Sequence, residues 1–175
     1  VYIMAQERPG AVTMRGNPVT LIGPELKVGD KAPNFTVFEA IGSPVTLDDF
    51  KGKIKVFNVI VSVDTPVCDA QTKRFNEEAS KLPSDVEIIT VSMDLPFALK
   101  RYCSAAGIDR VKTVSDYRDA SFGQAYGVLI KEHRLLARAI FVVDRDDTIR
   151  HVEYVKEITE HPNYDKALEV LKELV

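Results

Sequence analysis

The stretch Val61-Ser62-Val63-Asp64-Thr65-Pro66-Val67-Cys68 marks the point where a buried strand ends and a helix begins. Residues 53–62 form a β-branched run that suits a central strand buried on both faces. Thr65 is a favourable N-cap residue, and Pro66 suits the first helical position. Counting on, Cys68 falls at the third helical position. The segment therefore predicts a strand–loop–helix unit with a cysteine in the first helical turn.

This position favours a reactive thiolate at Cys68. In a capping box, the third helical residue is a Glu whose side chain reaches back to the N-cap amide, and a thiolate would take the place of that carboxylate. The positive end of the helix dipole also favours a negative charge there. Because the thiolate is the form of cysteine that reacts, the pattern predicts a nucleophile. The alternative is a cysteine that only fills a first-turn position.

Strands and helices alternate along the rest of the chain. A turn signal at Gly16-Asn17-Pro18 predicts an N-terminal hairpin over residues 13–22. Further strands are predicted at 34–38, 43–47, 86–92, 140–143 and 148–155, and helices at 66–82, 95–106, 120–126 and 162–174. This order predicts an α/β fold with parallel and antiparallel parts, as in the thioredoxin fold: a central mixed sheet flanked by helices, here with an extra N-terminal β-hairpin. We expect a single domain over residues 1–175, with residues 1–12 flexible or partly foreign to the native protein.

Composition excludes several classes of function. The 175 residues are 45% hydrophobic and 28% charged with a net charge of −3, which is ordinary for a globular domain. A nucleic-acid partner is not expected, because no basic stripe is present. A membrane location is not expected either, because no apolar run approaches the roughly 20 residues of a spanning helix. The N-terminal residues lack the apolar core of a secretory signal, so the cytoplasm is the expected location.

The second cysteine, Cys103, lies on an apolar face of the predicted helix 95–106, together with Leu99, Tyr102 and Ala106. Free cysteines are commonly buried and inert, so the residues alone favour that interpretation for Cys103. Structural disulfides are rare in a reducing cytosol, which leaves the role of the pair open at this point.

Several blocks of the chain resemble one family. Thr65-Pro66-Val67-Cys68 matches the second half of the peroxiredoxin motif P-x-x-x-T-x-x-C. Residues 64–76 (DTPVCDAQTKRFN), 94–103 (DLPFALKRYC), 115–118 (SDYR) and 135–143 (LLARAIFVV) are similar to thiol peroxidases of the atypical two-cysteine group. The resemblance runs from about residue 13 to the C-terminus. One departure is Val61 at the motif's proline position, since valine keeps apolar bulk but does not fix φ.

The resemblance implies a thiol-dependent peroxidase that reduces hydrogen peroxide and organic hydroperoxides, with thioredoxin as its reductant. It implies that Cys68 is oxidised to a sulfenic acid and that Cys103 then forms a disulfide with it. A homodimer is implied as well, and no cofactor is expected. Besides the two cysteines, the predicted catalytic residues are Thr65 and Arg138, and the predicted substrate-binding residues are Val61, Pro66 and Arg118.

A conformational change is expected on disulfide formation. A disulfide tolerates Cα separations of only about 4.4–6.8 Å, and the two cysteines are predicted on different helices. We expect them to be too far apart when reduced, so that the first turn around Cys68 and part of the helix 95–106 must unwind. Asp94 is predicted as the N-cap of that second helix.

Other functions remain open at this stage. The spacing of His133, His151 and His161 relative to the cysteines does not suggest a metal site, so no metal is expected. A cysteine hydrolase would need a histidine-activated Cys68, for which no local motif is present. A peroxide-responsive redox sensor or adaptor that uses the same disulfide is the main alternative.

Overall fold

The computed structural model describes residues 6–175. Its strands are β1 (Glu7–Met14), β2 (Asn17–Ile22), β3 (Thr36–Ala40), β4 (Ser43–Thr46), β5 (Ile54–Val59), β6 (Val86–Ser92), β7 (Lys112–Ser115), β8 (Leu129–Ile130), β9 (Leu135–Leu136), β10 (Ala139–Val143) and β11 (Ile149–Tyr154). Its α-helices are α1 (Pro66–Ala79), α2 (Pro96–Ala106), α3 (Ser121–Ala125) and α4 (Tyr164–Leu174). None of the helices in this part of the chain is long and apolar enough to cross a bilayer.

The predicted thioredoxin fold is confirmed in a central mixed sheet with the strand order β11-β10-β5-β6-β7-β3-β4. β5, β6 and β7 run parallel, and β10 pairs antiparallel with β5. Parallel strands need crossover connections, which α1 and α2 supply. All six residues of β5 are buried, as the β-branched run predicted.

The predicted N-terminal hairpin is present and belongs to a second sheet. β1 pairs with β2 around a turn at Arg15 and Gly16, and the sheet continues through β8 and β9. The first strand begins at Glu7, and Glu7, Arg8 and Val12 pair with β2 across a register shift, which differs from the flexibility expected for residues 1–12. Residues 1–5, which were part of that expectation, lie outside the described residues.

Two apolar clusters cover the two faces of the central sheet. Because strand side chains alternate between faces, β5 contributes Ile54 and Val56 to one cluster and Phe57 and Val59 to the other. α1 and α4 pack on the first cluster, whereas α3 packs on the second. Cys68 belongs to the second cluster, at the carboxyl end of β5, so the fold places it where the two layers meet.

Helix boundaries differ from the sequence pattern by a few residues. α1 ends at Ala79 instead of residue 82, and α4 begins at Tyr164 instead of residue 162. β7 was not predicted, because its four residues carry no apolar run. It forms because it pairs with β6 on one side and with β3 on the other.

Candidate active site

Cys68 occupies the third position of α1, as predicted, and its side chain is fully buried. Thr65 is the N-cap and Pro66 is the first helical residue. The Thr65 hydroxyl, however, donates to the carbonyl oxygen of Ser62 at 2.9 Å and makes no side-chain cap bond to the helix. Helix geometry leaves the first amides of α1, at Val67 and Cys68, without intrahelical acceptors. Cys68 therefore lies at a cluster of N–H donors.

Arg138 contacts the sulfur of Cys68 directly. Its Nη1 lies 3.0 Å from the Cys68 Sγ and 2.9 Å from the Gln71 Oε1, and its Nε donates to the carbonyl oxygen of Ile158 at 2.8 Å. The arginine is only 2% exposed. Within residues 6–175, its guanidinium is not within ion-pair distance of any carboxylate. A buried charge is costly without partners, and the groups that contact Arg138 are the Cys68 sulfur and the oxygens of Gln71 and Ile158.

A chain of buried amides fixes the orientation of Arg138. Gln71 donates through its Nε2 to the Oδ1 of Asn58, and Asn58 donates to the Thr90 hydroxyl at 3.0 Å. All three side chains are fully buried, on α1, β5 and β6 respectively. Since each donor has an acceptor, the Gln71 carbonyl oxygen is held toward Arg138.

Asp94 holds the loop before Cys68. Its carboxylate accepts hydrogen bonds from the Ser62 hydroxyl at 2.8 Å, the Val63 amide at 2.9 Å and the Ser92 hydroxyl at 2.8 Å. The prediction that Asp94 caps α2 is wrong, because the N-cap is Leu95, which makes no side-chain cap bond. The carboxylate instead accepts two tertiary hydrogen bonds, from Ser62 and Val63, and one local bond from Ser92, and the tertiary bonds connect the ends of β5 and β6.

Cys103 lies away from this cluster of groups. Both cysteines are free, and Cys103 packs against the first apolar cluster, whereas Cys68 belongs to the second. Its sulfur is 3.6 Å from the Thr113 hydroxyl. Cys103 also borders a cavity with Lys100, Ser104 and Lys112 at its edge.

Tyr102, next to Cys103, connects α2 to the first turn of α1. Its hydroxyl donates to the Asp69 Oδ1 at 2.6 Å, and Asp69 also accepts from Lys73 at 3.0 Å. Burial, followed by the hydrogen bond with the Asp69 carboxylate, raises the pKa of Tyr102 well above its usual range. The hydrogen bond from Tyr102 in turn holds the pKa of Asp69 below its ordinary value. One hydrogen bond thus links the two cysteine-bearing helices.

A cavity of about 550 Å³ opens beside Cys68. Two of the predicted substrate-binding residues, Val61 and Pro66, and two of the predicted catalytic residues, Thr65 and Arg138, line it. The remaining lining residues are Met14, Arg15, Asn17, Val19, Val67, His133, Ile158 and Thr159. The cavity therefore lies between the N-terminal hairpin and the start of α1.

Arg118, predicted as a substrate-binding residue, is not part of this cavity wall. Its exposed side chain pairs with Asp119 at 3.6 Å and lies over the ring of Phe38. Sequence reasoning also missed Gln71, Asn58 and Asp94. A polar Asn58 inside the apolar run 53–62, and Gln71 one turn after Cys68, were the available signals.

The fold and this cysteine together define a class. A buried thiol lies at a helix N-terminus beside an arginine, at the carboxyl end of a central strand of a thioredoxin fold. This arrangement is that of the thioredoxin-fold thiol peroxidases, the peroxiredoxins.

Comparisons with known proteins agree with this assignment. The Redoxin family model matches residues 27–168. Thiol peroxidases of Halalkalibacterium halodurans and Bacillus subtilis are 60% and 57% identical, over 93% and 94% of this chain and 97% and 98% of their own length. A peroxiredoxin-like protein from Aquifex aeolicus is 43% identical, with a TM-score of 0.88 over 95% of this chain and 98% of its own. The chain belongs to the Redoxin family and is a peroxiredoxin enzyme with thiol peroxidase function.

Proposed function

We propose that the Cys68 thiolate attacks the terminal oxygen of a hydroperoxide. The S–O bond forms as the O–O bond breaks, and two electrons pass from sulfur to the peroxide. Cys68 becomes a sulfenic acid, and the leaving alkoxide or hydroxide takes up a proton to become an alcohol or water. Cys103 then attacks the Cys68 sulfur, so that an S–S bond forms and water leaves.

The contact between Arg138 and Cys68 carries this proposal. A buried guanidinium 3.0 Å from the sulfur, without a carboxylate to neutralise it among the described residues, stabilises the thiolate. Arginine keeps its charge at all relevant pH values. In this proposal, the contact with the guanidinium favours the nucleophilic form of the sulfur before the peroxide arrives.

The same groups stabilise the charge that moves to the leaving oxygen. The Nη2 of Arg138 is not hydrogen-bonded to any described residue, and Arg138 borders the cavity, so its N–H groups are available to a peroxide oxygen. The amides of Val67 and Cys68 add further donors. The proton of the Thr65 hydroxyl is engaged by Ser62, so we assign Thr65 as an acceptor that orients the hydroperoxide O–H.

The cavity supports organic hydroperoxides as substrates alongside hydrogen peroxide. A water molecule takes up about 30 Å³ of liquid, and hydrogen peroxide is only slightly larger, so it would leave most of the 550 Å³ cavity unfilled. Val19, Val61 and Ile158 offer buried apolar contacts for an alkyl chain. Such contacts strengthen binding in proportion to the apolar area removed from water.

We further propose that the Cys68–Cys103 disulfide is intramolecular and that thioredoxin reduces it by thiol–disulfide exchange. The enzyme acts as a homodimer in the cytoplasm. The two free thiols support this cycle, because each is available to the other once the helices open. Exposed Leu95 and Phe97 at the start of α2 offer apolar surface for a second copy.

Thioredoxin-coupled turnover tests the cycle. Cys68→Ser should abolish peroxide reduction, whereas Cys103→Ser should reduce one equivalent of peroxide and then stop as the sulfenic acid. Normal thioredoxin-coupled turnover of Cys103→Ser would refute the resolving role of Cys103. One slow oxidation of the wild type without repeated turnover would instead favour a redox sensor.

A further inference from the structure

Four buried side chains form one hydrogen-bonded chain that leads from the reactive sulfur into the central sheet. It begins at Arg138, whose Nη1 lies 3.0 Å from the Cys68 Sγ and 2.9 Å from the Gln71 Oε1. Gln71 donates to the Oδ1 of Asn58, and Asn58 donates to the Thr90 hydroxyl at 3.0 Å. Thr90 on β6 is therefore three hydrogen bonds away from the arginine that contacts the sulfur.

The arginine determines the direction of every donor in this chain. A guanidinium has N–H donors and no acceptor, so the Gln71 amide has to present its oxygen to Arg138. The N–H group of Gln71 then faces Asn58, which presents its own oxygen and turns its N–H group toward Thr90. A hydroxyl can accept that last hydrogen bond, whereas an aliphatic side chain cannot. Thr90 thus supplies the acceptor that the chain needs at its far end.

The fold places Asn58 and Thr90 side by side in an apolar setting. They are paired directly in the parallel ladder between β5 and β6. Because strand side chains alternate, they share a face with Val56 and Ile88, which belong to the first apolar cluster. Replacing both partners of a buried hydrogen bond by apolar groups of the same shape can be neutral or even stabilising. Packing of the sheet alone therefore does not explain a polar pair at these two positions.

We propose that Thr90 is a positioning residue for peroxide reduction, which acts through Asn58 and Gln71 to hold the Arg138 guanidinium against the Cys68 sulfur. This inference rests on the proposed reaction of Cys68 with peroxide and adds a remote residue to it. Thr90 itself touches neither the sulfur nor the cavity beside it. Its effect is on the orientation of the groups that lie between.

Loss of the Thr90 hydroxyl frees the two amides to rotate. One N–H group of Asn58 then has no acceptor, so the native orientation of the Asn58 amide loses its advantage. The rotated Asn58 directs that N–H group at Gln71, and Gln71 has to direct its own N–H group at Arg138. Two donors then face each other, and the guanidinium loses a contact that fixes it. Arg138 keeps the bond from its Nε to the Ile158 carbonyl oxygen, so its contact with the sulfur is weakened but not abolished.

Three substitutions at Thr90 separate positioning from packing. Thr90→Val keeps the volume without the hydroxyl, Thr90→Ser keeps the hydroxyl without the methyl group, and Thr90→Ala keeps neither. In the full chain, Thr90→Val and Thr90→Ala should lower the rate constant of Cys68 oxidation by hydrogen peroxide about fivefold, the size of one neutral hydrogen bond. Both should also move the pH profile of Cys68 alkylation to higher pH. Rapid quenching and mass spectrometry measure both quantities.

Thr90→Ser should keep the wild-type rate and pH profile, although loss of a buried methyl group lowers the urea concentration at which it unfolds. A purely structural role would instead make the rate follow stability, so that Thr90→Ser and Thr90→Ala would both be slow. A fall in Thr90→Ser as large as that in Thr90→Ala would therefore overturn the proposal. An unchanged rate in Thr90→Val would overturn it as well.

Thr72→Val is the matched control. Thr72 is also a fully buried threonine, one helical turn after Cys68 on α1, and its hydroxyl has no hydrogen-bond partner among residues 6–175. Thr72→Val should leave the rate and the pH profile unchanged, and an equal fall in both valine variants would refute the role of Thr90. Absence of Cys68 oxidation in the wild type would refute the peroxidase reaction itself. Rapid oxidation in the wild type and Thr90→Val alike would refute only the positioning role.

Discussion

The hydrogen bond between Tyr102 and Asp69 should control how fast the disulfide forms. It joins α2 next to Cys103 to α1 next to Cys68, with 2.6 Å between the hydroxyl and the carboxylate oxygen. If the two helices must open for the sulfurs to meet, the bond exists only in the closed state. Tyr102→Phe removes the hydroxyl and keeps the ring that packs against both core clusters. The substitution therefore destabilises the closed state selectively.

The size of the effect follows from the surroundings of Asp69. A hydrogen bond to a charged partner contributes about 1.5–3 kcal/mol. Asp69 keeps Lys73, and its side chain is 35% exposed, so water replaces the lost donor and the lower value applies. About 1.5 kcal/mol corresponds to roughly tenfold in an equilibrium constant. We expect disulfide formation in Tyr102→Phe to be up to about tenfold faster, with less over-oxidation to sulfinic acid at high peroxide.

Rapid quenching with a thiol-alkylating reagent, followed by mass spectrometry, measures both products, which suits a chain that contains no tryptophan. Asp69→Asn should give an intermediate rate, because it keeps an acceptor but loses the charge. Tyr117→Phe is the control, since the Tyr117 hydroxyl is not hydrogen-bonded to any described residue. A Tyr102→Phe rate equal to or below that of the wild type, with unchanged over-oxidation, would refute the reasoning.

Three further results are expected. Arg138→Lys should lower kcat/KM by about 10²-fold or more for all hydroperoxides in stopped-flow assays. The reason is that a lysine ammonium group cannot replace the planar guanidinium, whose N–H groups contact the sulfur and the substrate at the same time. Burial raises the pKa of Asp116 to about 6, although the amides of Gly123 and Phe122 donate hydrogen bonds to its carboxylate. In this pH range the folded state therefore holds a proton that the unfolded state releases. The contribution of Asp116 to the free energy of unfolding falls as pH rises from about 4 to beyond 6. Urea titrations should show the stability of the wild type relative to Asp116→Asn falling by up to about 3 kcal/mol over that range. Burial, followed by the charge of Lys166, lowers the pKa of His151. The contribution of His151 to the free energy of unfolding is therefore present above pH ~6.5 and lost on acidification. His151→Leu should reduce the loss of stability below that pH.

Local rules predicted the part of the site that depends on local geometry. The position of Cys68 followed from the N-cap and proline preferences of one turn, and the structure begins α1 at Pro66. Arg138 has no comparable local signal. It reaches the sulfur because β10, which follows it directly, pairs antiparallel with β5, and only the family resemblance pointed to it.

Residues whose partners are distant in the sequence were beyond such rules. Asp94 satisfies the local preference for an N-cap, but hydrogen bonds from Ser62 and Val63, which lie 32 and 31 residues earlier, determine its position. Arg118 and Arg138 are both arginines in blocks that resemble the family. Their burial distinguishes them, and burial depends on packing that a single sequence does not reveal.

The proposed cycle places opposing demands on Cys68. In that cycle, peroxide reduction uses the sulfur buried against Arg138, whereas resolution would bring it to Cys103, which packs against the other apolar cluster. Strengthening the contacts of Arg138 with Gln71 would favour the first step and prolong the sulfenic acid. A contact that sets only the second rate must stabilise the closed helices without touching the sulfur. We expect the bond between Tyr102 and Asp69 to meet this condition, because it lies on the partly exposed side of α1 and does not contact the sulfur, so that its loss should change the proposed resolution rate and leave the reaction of Cys68 with peroxide unchanged.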